Sequence, residues 1–190
     1  MQPQTILAPE PVLTGNEMLA GWLEDFARGV REEIAELSPE ALGWQPREQS
    51  NNIGVTVWHC ARWLDVIAIR ALKNLPGDQE HWHTQGWAAR TGYDPRGHGQ
   101  AGLGNITGYT WAEVLEIPAL SAADLLAYLD QVVTDLASQL RAMSPDQLHT
   151  VVPGINGKRT PYRWVQPILQ GCLGHLGEIE AMKAWQAGVA

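Results

Sequence analysis

Between residues 16 and 37 the apolar positions Leu19, Trp22, Leu23, Phe26, Val30, Ile34 and Leu37 recur at steps of three and four, with polar residues between them. That period predicts one amphipathic helix, and Ser38-Pro39 stops it. A second helix is predicted over 53–74, with Val57, Trp58, Ala61, Leu64, Ala68, Ala71 and Leu72 on its apolar side and Pro76-Gly77 closing it. A third spans 121–143: Ser121 and Asp124 have capping-box spacing, and Leu125, Leu129, Val132, Leu136 and Leu140 follow in helical period. The fourth opens at Thr160-Pro161 and runs to Gly188, with Pro167 expected to kink it or to mark its effective start. No period-two run of useful length competes. The pattern predicts an all-α fold, a four-helix bundle with one long connection.

Two departures from a plain bundle stand out. Ser-Pro-Glu-Ala-Leu (38–42) follows the first helix and Ser-Pro-Asp-Gln-Leu (144–148) follows the third, so the chain reads as two helical hairpins related by a weak internal repeat. Carried forward with a short insertion, the repeat pairs His59-Cys60 with Gly171-Cys172. The long connection, Lys73 to Thr110, holds eight glycines and three of the six histidines, together with Trp82 and Trp87. A connection of that length in a compact domain is usually functional or disordered, and its tryptophans favour an ordered loop folded over one end of the bundle.

Composition narrows the class. With 190 residues, 45% of them hydrophobic, one well-buried core is expected, so residues 1–190 are read as a single domain. A net charge of −8 argues against nucleic acid as a partner, because phosphate-backbone affinity comes from clustered Lys and Arg. No run of 18 apolar residues and no basic-then-apolar leader is visible, which implies a cytoplasmic protein with no membrane partner. Cys60 and Cys172, far apart in sequence, suit reduced thiols and are read as small buried hydrophobes before nucleophiles. Nine tryptophans stand against one phenylalanine. Indoles carry an N–H that needs an acceptor, so several are expected to line a pocket or interface, with Trp58, Trp63 and Trp87 as candidates beside Gly171.

His59 and His175 each lie mid-helix, on the second and fourth elements, where side chains in a bundle core can converge on a cation. A core histidine hydrogen-bonded to a neighbour is the plainer alternative for either. Glu178, three residues beyond His175, shares its helix face, and the set His59, His175 and Glu178 would leave an open position for water or a small-molecule substrate; a surface carboxylate is the other reading of Glu178. Gly171, Gly174 and Gly177 each cost a helix up to about 1 kcal/mol, for which the expected compensation is close approach of a neighbouring helix, the alternative being room for a substrate. His81 and His83, with His98, outline a second possible metal site or simply exposed loop histidines. Arg62 and Asp65 read as an exposed or rim ion pair worth little.

The stretches VWHCARWLD (57–65), WAARTGYDPRGHG (87–99), GYTWAEV (108–114), LLAYLD (125–130) and GHLGEIEAMKAW (174–185) resemble, in that order, the DinB-like superfamily of bacterial four-helix proteins, which includes thiol-dependent S-transferases and the mycothiol-dependent maleylpyruvate isomerase. The resemblance implies an up-down-down-up bundle, a plausible homodimer, and a divalent metal such as Zn or Ni held by three histidines, one from helix two and two from a His-x-x-x-His on helix four. His59 matches the first position and His175 the last. The middle position falls on Gly171, so the triad is incomplete. His-Leu-Gly-Glu also replaces the commoner His-x-Gly-Gln ending and places a carboxylate nearby. Two readings stay open: a metal-dependent transferase or hydrolase acting on a small molecule, in which Glu178 or a water completes a weaker site, or a non-catalytic small-molecule-binding or dimer-forming bundle.

Overall fold

The computed structural model describes residues 12–155 and 157–189; the leader-free N-terminus expected above lies outside them. Helix α1 (Gly15–Ile34) starts where Thr14 and Glu17 form a capping box, so that two of the N–H groups a helix start leaves unpaired are satisfied. The short α2 (Pro39–Gly43) follows. Helix α3 (Ile53–Val66) is capped by Asn52 and widens at its end into a π-helical turn over Ile67–Leu72, where the sequence predicts an unbroken helix to 74. The connection carries α4 (His81–Thr84), α5 (Trp87–Thr91) and α6 (Trp111–Leu115). Helix α7 (Ala122–Ala142) and the short α8 (Pro145–His149) come next, then two strands, β1 (Val152–Gly154) and β2 (Gly157–Arg159), and α9 (Pro161–Val189), which contains Pro167.

The sequence repeat has a structural counterpart. Ser38 and Ser144 each cap the five-residue helix that follows a long one, the side-chain oxygen accepting from Ala41 N and from Gln147 N respectively. The strands, by contrast, have no counterpart in the sequence pattern. They pair antiparallel, Val152 with Arg159 and Gly154 with Gly157, and three residues are too few to print a period of two.

Packing follows the apolar stripes. Helices α1 and α3 each pack against both α7 and α9, and the buried apolar side chains form one cluster. On α1 these are Leu19, Leu23, Phe26, Val30 and Ile34; on α7, Leu125, Leu129, Val132, Leu136 and Leu140, the positions the period selects. Close approach of α1 and α9 occurs at Gly29, where an added Cβ would stand 2.7 Å from Leu176 Cδ2. The glycines of α9 do not serve it: a Cβ at Gly171, Gly174 or Gly177 would meet nothing within 4 Å. The expectation that this strip compensates its helix cost by tight packing is therefore corrected. Among the described residues no helix is long and apolar enough to cross a membrane.

Candidate functional site

Helix α3 presents two different faces. Trp58, Arg62 and Asp65, at steps of four and three, share one side; His59 and Trp63, four apart, share another with Cys60 beside them.

On the first side the long loop is anchored. Arg62 is fully buried and donates through Nη2 to Glu80 Oε2 at 2.7 Å, through Nη1 to Asp65 and the Tyr128 hydroxyl, and through Nε to the Gly104 carbonyl at 3.0 Å. Asp65, also fully buried, accepts from the backbone N–H groups of His81 and Trp82, from His81 Nδ1 and from Tyr128. Burial pushes the Asp65 carboxyl up, but the His81 hydrogen bond and the Arg62 charge more than reverse it, leaving it below the usual carboxylate range. The reading of Arg62 and Asp65 as an exposed pair of little worth is thus overturned. A charge pair so placed must be satisfied completely or it destabilises, and the loop supplies most of the partners. Trp58, Trp82, Trp87, Tyr93 and Tyr128 pack edge-on, tilted or stacked around it, with ring centroids 5.1–6.5 Å apart.

On the second side the structure brings His59 and His175 together, ring centroids 5.1 Å apart and nearly perpendicular. Both line a cavity of about 160 Å³ between α3 and α9, with Cys60, Trp63, Gly171 and Cys172. His59 Nδ1 donates to the Asn105 carbonyl, so the loop that Arg62 anchors also sets this ring. Burial pushes the His59 imidazole down to about 4, the Asn105 hydrogen bond opposing it in part. His59 is therefore neutral near pH 7, with its proton on Nδ1 and a lone pair on Nε2. His175 Nδ1 donates to Glu178 Oε2 at 2.7 Å, and its neutral form likewise keeps the lone pair on Nε2. The Cys172 thiol beside it, together with burial, pushes Cys60 well above the ordinary thiol range; Cys60 is a protonated wall group, as the sequence reading of both cysteines anticipates.

Of the residues the sequence singles out, His59, His175, Trp63 and Gly171 meet in this cavity. Trp58 and Trp87 do not: they belong to the aromatic cluster on the loop-facing side of α3, where Trp87 Nε1 donates to Gln131. Glu178 is near, but it engages His175 at Nδ1. The loop histidines do not gather: His81 is held by Asp65, His83 lies 3.7 Å from Asp94, and His98 bonds Glu113. Asn105 escaped sequence reasoning because a backbone acceptor has no residue signature. Arg62 left one signal, a charge inside an otherwise apolar run.

A metal implied by the resemblance can be tested against the donor set. Catalytic centres of this kind take three protein ligands, with each ligating imidazole fixed through its other nitrogen. Two imidazoles here have that fixed form. The third position is Gly171, where open space replaces a side chain, and among the described residues no three His, Cys, Asp or Glu side chains form a metal-holding group. The donors present do not make a three-ligand cage.

A crystal structure of a conserved protein from Enterococcus faecalis is similar in fold, with a TM-score of 0.73 over 90% of this chain and 96% of that one at 18% sequence identity. Comparison with curated proteins yields no match. The DinB superfamily model matches residues 23–179, the span that contains the loop anchor, both imidazoles and the cavity between α3 and α9, and the chain belongs to the DinB superfamily.

Proposed function

We propose that the cavity between α3 and α9 is a small-molecule site in which His59 and His175 act through Nε2 as hydrogen-bond and proton acceptors, in a bundle of up-down-down-up path whose metal triad has become a pair. The supporting observation is the shared tethering: both rings line one cavity, each with Nδ1–H committed to an acceptor. Loss of a side chain at Gly171 leaves room where a third ligand would stand, and a concave site of mostly apolar walls with a few convergent polar groups is what a small organic ligand needs. The two cysteines and the absence of a membrane-length helix among the described residues suit a cytoplasmic location.

The same tethering favours a second reading, a metal-dependent transferase or hydrolase in which His59 and His175 hold Zn or Ni and a small-molecule ligand occupies the remaining positions. One experiment separates the two. Purified protein is dialysed against Zn²⁺ and then buffer, and metal is quantified in the wild type, His59→Ala, His175→Ala and Gly171→His. Wild-type protein without stoichiometric metal, with Gly171→His gaining it, is the expected result. Stoichiometric wild-type metal that is lost in either alanine variant would overturn the first reading in favour of the second.

A further inference from the structure

The chain has two cysteines, and neither takes part in the imidazole chemistry. Cys60 on α3 and Cys172 on α9 are both buried free thiols, and they stand in hydrogen-bond contact across the interface between those helices. The internal repeat accounts for the meeting. It sets His59-Cys60 against Gly171-Cys172, so the two thiols occupy equivalent positions of the two hairpins, and equivalent positions close to the axis that relates two copies come face to face. Both cysteines also line the cavity of about 160 Å³ that His59, Trp63 and His175 share. A thiol sealed in apolar packing is inert, but this pair stands on a cavity wall. The His175 side chain on the same wall is 29% exposed, so the cavity opens to solvent. A space of this size admits hydrogen peroxide, a molecule barely larger than water, and shuts out a tripeptide disulfide.

We propose that Cys60 and Cys172 are a reversible redox pair, which hydrogen peroxide entering the cavity oxidises to a disulfide that clamps α3 to α9 beside the imidazoles. The Cys172 sulfur attacks a peroxide oxygen, the O–O bond breaks, and the displaced hydroxide leaves with the thiol proton as water, so that Cys172 becomes a sulfenic acid. The Cys60 thiol then attacks that sulfur, the S–S bond forms, and the hydroxyl departs with the second thiol proton as a second water. Two electrons pass from the sulfurs to the peroxide, and a thiol reductant returns them. Cys60, kept protonated by its surroundings, suits the second step better than the first. Because it is already in contact, the sulfenic acid is consumed before it is oxidised further. Bridged sulfurs lie about 2.05 Å apart, closer than any hydrogen bond between thiols, so the bond draws together the two walls that carry the imidazoles: Cys60 follows His59 directly, and Cys172 precedes His175 by one turn. The consequence for ligand entry rests on the reading of the cavity as a small-molecule site; the disulfide does not.

The full chain, reduced and then exposed to hydrogen peroxide, is followed by intact mass and thiol count. Wild type is expected to lose the mass of two hydrogen atoms together with both thiols, to remain a single chain on a non-reducing gel, and to recover both thiols with dithiothreitol. Cys60→Ser is expected to hold a sulfenic acid on Cys172 that dimedone traps, and Cys172→Ser to resist the same peroxide. The chain unfolded in urea, where nothing holds the thiols together, calibrates their reactivity. Thiols that are oxidised there but stay intact in the folded protein would overturn the proposal, as would an oxygen adduct on either cysteine in place of the disulfide, or a disulfide between two chains. His59→Gln and His175→Gln separate it from the functional reading above. A disulfide that forms in both variants supports the redox pair even where the imidazole site fails its metal test. In oxidised wild type the His59 and His175 ring resonances are expected to shift, and rings that do not respond would overturn the clamp on the cavity.

Discussion

The two sides of α3 obey opposite rules. Toward the loop, every charged group is matched: Arg62 is met by Glu80, Asp65, Tyr128 and the Gly104 carbonyl, and five aromatic rings pack around them. Toward α9, two imidazoles keep an unused nitrogen each, Gly171 leaves open space where a side chain would stand, and the walls line a cavity. One side pairs its buried charges, although the Trp58 Nε1–H there has no acceptor, and the other leaves its imidazole nitrogens free, yet they are coupled, because the segment Leu103–Asn105 receives Arg62 on one side and His59 on the other. The charge-paired face holds the open one in register. Stability and binding capacity are thus assigned to two different faces of a single helix, joined through the backbone of Leu103–Asn105.

The sharpest way to break that contrast is to unbalance the charge-paired face. Arg62→Met leaves Glu80 and Asp65 buried without their cation, and removal of one member of a buried ion pair costs roughly 3–5 kcal/mol. Urea denaturation should show that loss, and a cost below about 1 kcal/mol would mean that the network is no anchor. Tyr128→Phe keeps the ring and deletes only the hydroxyl contacts to Arg62 and Asp65. It should cost less, about 1–3 kcal/mol, and should leave the His59 ring bonded to Asn105.

Acid tests the other face. Unfolded, His59 takes a proton near its ordinary value of 6.5; folded, it resists until about 4. Below pH 6.5 the unfolded chain therefore binds more protons at this site, and stability falls as pH drops toward 4. The full separation is worth about 3 kcal/mol at 1.36 kcal/mol per unit. His59→Gln should flatten that part of the stability profile between pH 6.5 and 4, measured by denaturation at several pH values. An unchanged slope would show that His59 is solvated and that the cavity wall is not as closed as the hydrogen bond to Asn105 implies.

Much of the frame was legible in the chain. The stripes of α1 and α7 are amphipathic over five turns, and a buried stripe of that length has few ways to fold. The juxtaposition of His59 and His175 was legible too, since two mid-helix positions on the second and fourth long helices point into one interface. Arg62 was misread because pattern alone cannot tell a rim charge from a buried one; the partner that decides it, Glu80, lies in a loop whose path depends on tertiary contacts. The glycines of α9 were misread for a related reason. Spacing of small residues marks a smooth helix face, but whether a neighbour comes to meet it is settled by the other helices, and here Gly29 on α1 makes the close approach.

That correction leads to the mildest prediction. Gly171, Gly174 and Gly177 each have space for a methyl group and lie in a helix, so alanine relieves the backbone entropy that glycine carries without creating a clash. Gly174→Ala and Gly177→Ala should each stabilise the protein by about 0.4–1 kcal/mol, read as a rise in the denaturation midpoint with an unchanged slope. Gly171→Ala should gain similarly in stability while placing its methyl group at the wall of the imidazole cavity. If all three behave alike in stability and in the ring resonances of His59 and His175, the strip is only an unimproved helix face. If Gly171→Ala alone perturbs those ring resonances, the open position is part of the space that the two imidazoles line, and its glycine is retained against the helix's own preference.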